Sequence, residues 1–173
     1  MAIEVTEDTA ATVTAYPDGA APVSATATFY NSKGDEQSTP TVTVDAIGSA
    51  GTSTVGAVTS QTEFAVDNAT GIEAGRRYWL TSAAGWQAAV SVSEVSGLNI
   101  TLEHAPPGTI ATGDTLKGLL LSVTLSATTD TNDRGLNHRV EWVVTGSDSV
   151  VRRYRTIVDV VKTPWPDSVS ADD

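Results

Sequence analysis

Val23-Ser24-Ala25-Thr26-Ala27-Thr28-Phe29-Tyr30 is the stretch that decides the fold class. Val23, Ala25, Ala27 and Phe29 fall on one side of it; Ser24, Thr26, Thr28 and Tyr30 fall on the other. Successive side chains of an extended chain point to opposite faces, so this alternation predicts a strand with one face in a core and one in water. The same period of two recurs at Thr41–Ala46, Leu119–Thr128, Asn137–Thr145 and Val150–Val161. No window carries an apolar stripe at helical spacing. The expectation is an all-β protein.

Between the runs lie turn signals. Tyr16-Pro17-Asp18-Gly19 and Asn31-Ser32-Lys33-Gly34-Asp35 bracket the first strand, with Pro fixing φ and Gly accepting positive φ. Ile47-Gly48-Ser49-Ala50-Gly51-Thr52-Ser53 looks like a linker or boundary. Beyond it the texture changes to shorter runs broken by Gly, holding Phe64, Tyr78, Leu80, Val90, Ile100 and Leu102. Short strands at close spacing predict a small closed or half-closed barrel. Long strands resume after Gly118, matching the first segment in length and composition. The predicted organisation is therefore a β-sandwich interrupted by an inserted small barrel-like domain. Its parts are residues 1–47 and 119–163 for the sandwich, 48–118 for the insertion, and 164–173 for an extended acidic arm. Trp142 is the expected centre of the sandwich core.

Composition narrows the function. Apolar residues make up 40% of the 173-residue chain and aromatics only 6%, so the core is modest and stability drawn from partner subunits is expected. The net charge of −11 argues against a nucleic-acid binder, whose affinity comes from neutralising phosphates. The absence of Cys removes disulfides, thiolate metal sites and a Cys nucleophile. Met1-Ala2-Ile3-Glu4 has neither the basic region nor the apolar stretch of an export signal, and no apolar run is long enough to span a bilayer. Assembly in a cytoplasm, with no membrane partner, is the expectation.

No catalytic constellation emerges. Asp130-Thr131-Asn132-Asp133-Arg134-Gly135 followed by Glu141 approaches a calcium loop in spacing, but Arg134 stands at a ligand position and no helix flanks it. A polar hairpin loop is the plainer account. His104 and His138 lie far apart, and His138 falls on an apolar strand face, as a structural histidine would. No nucleophile–base pair, phosphate-binding Gly loop or cofactor motif is present, so no cofactor is expected.

The densest basic run is Arg152-Arg153-Tyr154-Arg155. On a strand, Arg153 and Arg155 share the face opposite Tyr154, and Arg139 joins them if the last two strands form a hairpin. Such a row is either a solvated face paired with Glu141 and Asp159 or a site for an acidic partner. The acidic Glu7-Asp8 or Asp172-Asp173 of a neighbouring copy are candidates. Trp165, held between Pro164 and Pro166, is an apolar anchor that packs either on its own domain or on a partner. Arg139, Arg153, Arg155 and Trp165 are thus the candidate interface residues. Trp79 and Trp86 offer a different reading, as stacking platforms for a sugar.

Three parts of the chain resemble virion structural proteins of tailed bacteriophages. Ala11–Tyr30 is similar to the opening of phage immunoglobulin-like domains. Thr62–Lys117, with Ala74-Gly75-Arg76 and Thr112-Gly113-Asp114 each opening a strand, looks like the small β-modules of head, neck and tail proteins. Val140-Glu141-Trp142, Arg153-Tyr154-Arg155 and Asp159-Val160-Val161 are similar to closing strands in such proteins. The resemblance implies an immunoglobulin-like sandwich in a non-enzymatic subunit of the virion, assembled in the host bacterial cytoplasm. Its partners would be other copies of itself and other virion proteins. The head–tail neck or tail is the favoured place, with capsid decoration as the alternative. A carbohydrate-binding β-module of a surface or fibre protein is the rival from another class.

Overall fold

In the computed structural model, which describes residues 2–17, 19–48, 51–131 and 134–162, every regular element is a strand. The sandwich portion begins with β1 (Ile3–Thr6), β2 (Ala11–Ala15), β3 (Pro22–Tyr30), β4 (Glu36–Ser38) and β5 (Thr43–Val44). The middle holds β6 (Thr52–Val58), β7 (Glu63–Val66), β8 (Arg77–Thr81), β9 (Gln87–Ser96), β10 (Asn99–Leu102) and β11 (Thr115–Gly118). The chain finishes with β12 (Leu121–Leu125), β13 (Gly135–Gly146) and β14 (Val151–Val161).

Two sheets share one core. The larger has the order β1-β14-β13-β3-β4 and the smaller β2-β12-β5. Val5, Ala27, Phe29, Val140, Trp142, Val144, Val158 and Val160 from the first meet Val13, Leu121, Val123 and Leu125 from the second. Alternation does the work: along β13 every second residue from His138 to Gly146 is buried. Trp142 is wholly buried, and its Nε1 donates to Thr156 Oγ1 at 3.0 Å, so the largest side chain of the core carries its one polar atom satisfied. All pairings are antiparallel except one. Ile3–Thr6 runs parallel to Val158–Val161, after which the chain crosses to the smaller sheet. Glu7 N–H to Val161 O (2.8 Å) and Asp8 N–H to Thr131 O (3.0 Å) hold that crossing.

The middle strands close into a barrel, β10-β7-β6-β11-β8-β9. All six strands have two neighbours, and closure depends on two of them, β6 and β9, which meet their neighbours along different stretches. β6 pairs with β11 through Thr52–Thr54 and with β7 further on, where the register shifts between Val55 and Val58. β9 pairs with β8 through Gln87–Ser91 and with β10 through Val92–Ser96. Such shifts bend a strand and turn a flat ribbon into a tube. The interior is packed, not open: Phe64, Tyr78, Leu80, Val92, Ile100 and Leu116 are buried in it. The Tyr78 hydroxyl accepts the Glu73 N–H at 2.7 Å and donates to Gly71 O at 3.1 Å, which ties the loop before β8 to the core.

Ile47, expected in a linker, is fully buried in the barrel core, and Ser53 is buried with Asp67 and Asn68 as its partners. The connection between sandwich and barrel is therefore packed rather than loose. Asp45 N–H donates to Leu120 O at 2.8 Å, so the outgoing and returning chains lie side by side. Arg76 of the barrel reaches Asp45 at 3.0 Å and Glu73 at 2.9 Å. Thr41–Ala46 yields only the two-residue β5, because Pro40 precedes it and its pairing with β12 covers Thr43 and Val44 alone.

Candidate functional site

β13 and β14 do form a hairpin, with Glu141 opposite Arg155, Val143 opposite Arg153 and Arg139 opposite Ile157. Cross-strand neighbours share a face, so Arg139, Arg153 and Arg155 all lie on the outer face of the five-stranded sheet. On β3, Thr28 and Tyr30 continue that face beside Glu141 and Arg139. Glu141 sits between two of the arginines: Arg139 Nε donates to its Oε1 at 2.8 Å, and Arg155 approaches the same oxygen at 3.4 Å. The Arg139 bond chiefly, with Arg155 adding, holds the Glu141 carboxyl below the usual glutamate range. Arg139 also lies 4.4 Å over the Tyr30 ring. Arg153 is exposed and has no ion pair among the described residues.

A shallow depression of about 240 Å³ lies here, lined by Glu141, Val143, Arg153 and Arg155 among others. Three arginines against one glutamate leave the stretch from the level of Arg153 to that of Arg139 with two net positive charges, in a chain whose overall charge is strongly negative. The end of the face beyond them is acidic. Asp159 stands beside Glu4 where β1 joins the sheet. Asp159 accepts the Asn137 N–H at 2.8 Å instead of meeting an arginine. Arg152, on the opposite face, forks onto Asp148 at 2.6 and 3.0 Å; that contact, first of all, pulls the Asp148 pKa down to about 2.

The other residues singled out from sequence take structural roles. His138 is buried and stacked on Phe29, centroids 5.7 Å apart. Asp130 closes its own loop by accepting the Ser126 N–H at 2.7 Å, Arg134 pairs with Glu7 at 2.9 Å, and Glu141 belongs to the arginines. The spacing that resembled a calcium loop is thus spent on three separate contacts. Among the described residues no three His, Cys, Asp or Glu gather as metal ligands would. Glu7 thus meets Arg134 of its own chain. Asn132, Asp133, Trp165 and Asp172-Asp173 lie outside the described residues.

Trp86 lies over Gly108, donates to Thr109 O at 3.2 Å and packs against the barrel core. Trp79 is half-buried on the barrel exterior, its Nε1 on Gln87 Oε1 at 3.1 Å. Asp114, fully buried, accepts the N–H groups of Ala83 at 3.0 Å and Ala111 at 2.9 Å. Sequence reasoning passed over Asp114; the Thr112-Gly113-Asp114 turn was its only signal.

No protein-family model, curated protein or solved structure matches this chain.

Proposed function

We propose that the protein is a non-enzymatic structural subunit of a tailed-phage virion, working in multiple copies at the head–tail neck or tail and built on an immunoglobulin-like sandwich. The observation that supports the immunoglobulin-like part of this reading is the strand order. Lettered B to G in chain order from β2, with β4 as C′, the small sheet reads B-E-D and the large one C′-C-F-G. Immunoglobulin-type domains share that strand order, which supports the reading. β1 stands beside the last strand in parallel, and the barrel occupies the D–E connection. Two features depart from antibody domains: there is no Cys, and the buried Trp142 stands on the F counterpart, not on C.

The interaction chemistry supports a binding surface more than a reaction. Asp114, Asp130, Ser53 and Thr131 are buried, and each makes a turn- or loop-closing hydrogen bond. The unspent charge lies on a broad sheet face, where it can meet another protein. The carbohydrate reading keeps Trp79 but loses Trp86, whose ring is occupied by Gly108 and Thr109. Capsid decoration remains the alternative place within a virion.

Light scattering after size exclusion tests the proposal. A discrete oligomer, visible as a ring or column in negative-stain images, is the expected result. A monomer that binds glycans, and loses that binding in Trp79→Ala, would move the assignment to a carbohydrate-binding module.

A further inference from the structure

Resting on the multi-copy reading above, we infer that the outer face of the five-stranded sheet pairs with the same face of a second copy about a two-fold axis. The face is polarised along its strands. Arg153 and Arg155 stand nearer the start of β14, Arg139 lies level with Ile157 just past its midpoint, and Asp159 with Glu4 stand nearer its end. Arg153 and Glu4 are both exposed, and neither has an oppositely charged partner among the described residues. A surface with one unspent charge of each sign at opposite ends complements itself when a second copy is turned end over end, as isologous contacts require.

The register is set by the residues. With the axis level with Thr156 and Val140, strands of the two copies run antiparallel across the contact. Each Arg153 then faces Asp159 and Glu4 of the second copy, and each Arg139 faces Glu141 of the second copy. The axis repeats both contacts. Arg155 lies over Ile157 of the second copy, guanidinium against aliphatic side chain. Shifting the axis one step, to the level of Ile157 and Arg139, would stack Arg139 on Arg139 and is disfavoured. Pairing the β14 edges instead would set Arg153 and Arg155 against like charges. Sheets packed face to face prefer about −30° between strand directions, which the long arginine side chains accommodate.

Size sets the strength. Nine residue levels at about 3.3 Å and three full-length strands about 4.8 Å apart give a face of about 30 by 15 Å. That falls short of the roughly 800 Å² per partner of a standard stable interface. The pairing is therefore a weak, concentration-dependent one that an array of copies would reinforce.

The test is sedimentation of the full chain over a concentration series, with Arg153→Glu, Glu4→Arg and the two combined. Both positions are exposed, and thermal unfolding of each variant checks that it folds like the wild type. The proposal expects about tenfold weaker association for each single variant and partial recovery in the double variant, where the two exchanged charges again attract while Asp159 still opposes the new carboxylate at position 153. Association unchanged in both single variants would overturn this contact while leaving a multi-copy role standing. Loss in the single variants without recovery would overturn it in favour of another acidic segment, such as Asp167–Asp173. A wild-type chain that stays monomeric throughout would overturn both the contact and self-assembly.

Discussion

The carbonyl oxygen of Asp45 occupies the space in which any residue but glycine at position 118 would carry its Cβ. The two chain crossings between sandwich and barrel touch there, backbone to backbone, and neither can yield without moving a sheet. Gly118→Ala is expected to cost about 3 kcal/mol. Gly56→Ala, whose Cβ would meet only the Ala65 carbonyl at 3.7 Å, is expected to stay within about 1 kcal/mol of wild type. Urea unfolding of the pair checks this; equal midpoints would mean that the crossing is slack.

Trp142→Ala removes the largest fully buried side chain of the sandwich and should cost about 3–5 kcal/mol. Thr156→Val keeps the volume but leaves the indole N–H without its acceptor, at a cost of about 1–3 kcal/mol. Near-UV circular dichroism during denaturation reads both. An unchanged midpoint in Trp142→Ala would remove the residue from the core.

The two outward tryptophans of the barrel should behave differently. Trp86→Ala empties the space over Gly108 and frees Thr109 O, so the melting temperature falls. Trp79→Ala loses the bond to Gln87 and the packing of a half-buried ring outside the core, and should cost less than Trp86→Ala, about 1 kcal/mol. Comparable losses in both variants would mean that Trp79 matters to the barrel's packing as much as Trp86 does.

Acid should act on the arginine-held carboxylates. Asp148 titrates at about 2 in the folded chain against its ordinary 3.8, and Glu141 lies below its ordinary 4.5. A lowered folded pKa means stabilisation that is present above the ordinary value and lost as pH falls through the folded one. For Asp148 that window runs from about 3.8 down to about 2. Carboxyl ¹³C titration by NMR should show Arg152→Gln returning Asp148 toward its ordinary value. Arg139→Gln should raise Glu141 more than Arg155→Gln does. The opposite order would mean that Arg155 is the closer partner in solution.

Much of the sandwich was legible because its strands are long and one-sided. Val23–Tyr30 and Asn137–Thr145 alternate over eight or more residues, Val150–Val161 keeps Tyr154, Val158 and Val160 on one side, and the three nearly coincide with β3, β13 and β14. β1 was not legible: four residues are too few for a periodic signal, and its parallel pairing joins positions about 155 apart in sequence. A separation of 127 positions likewise hid the Glu7–Arg134 pair. The arginine row could be placed on one face from spacing alone, once a hairpin was assumed. Its partner within the chain, Glu141, was foreseen, but Asp159 was not read as the cap of Asn137, because that bond depends on the bulge where pairing shifts between Gly135 and His138. Trp86 misled for a related reason. A ring beside a glycine far along the chain leaves no mark in local pattern.

The side-by-side strands at Asp45 and Leu120 have an evolutionary and practical corollary. Because the barrel leaves and returns at one spot, a turn of a few residues would close the host domain without it. The D–E connection is then a natural graft point: a lineage could acquire, exchange or discard the barrel while keeping the scaffold beneath it. An engineer could mount a foreign domain there, provided its two ends lie as close together as these do.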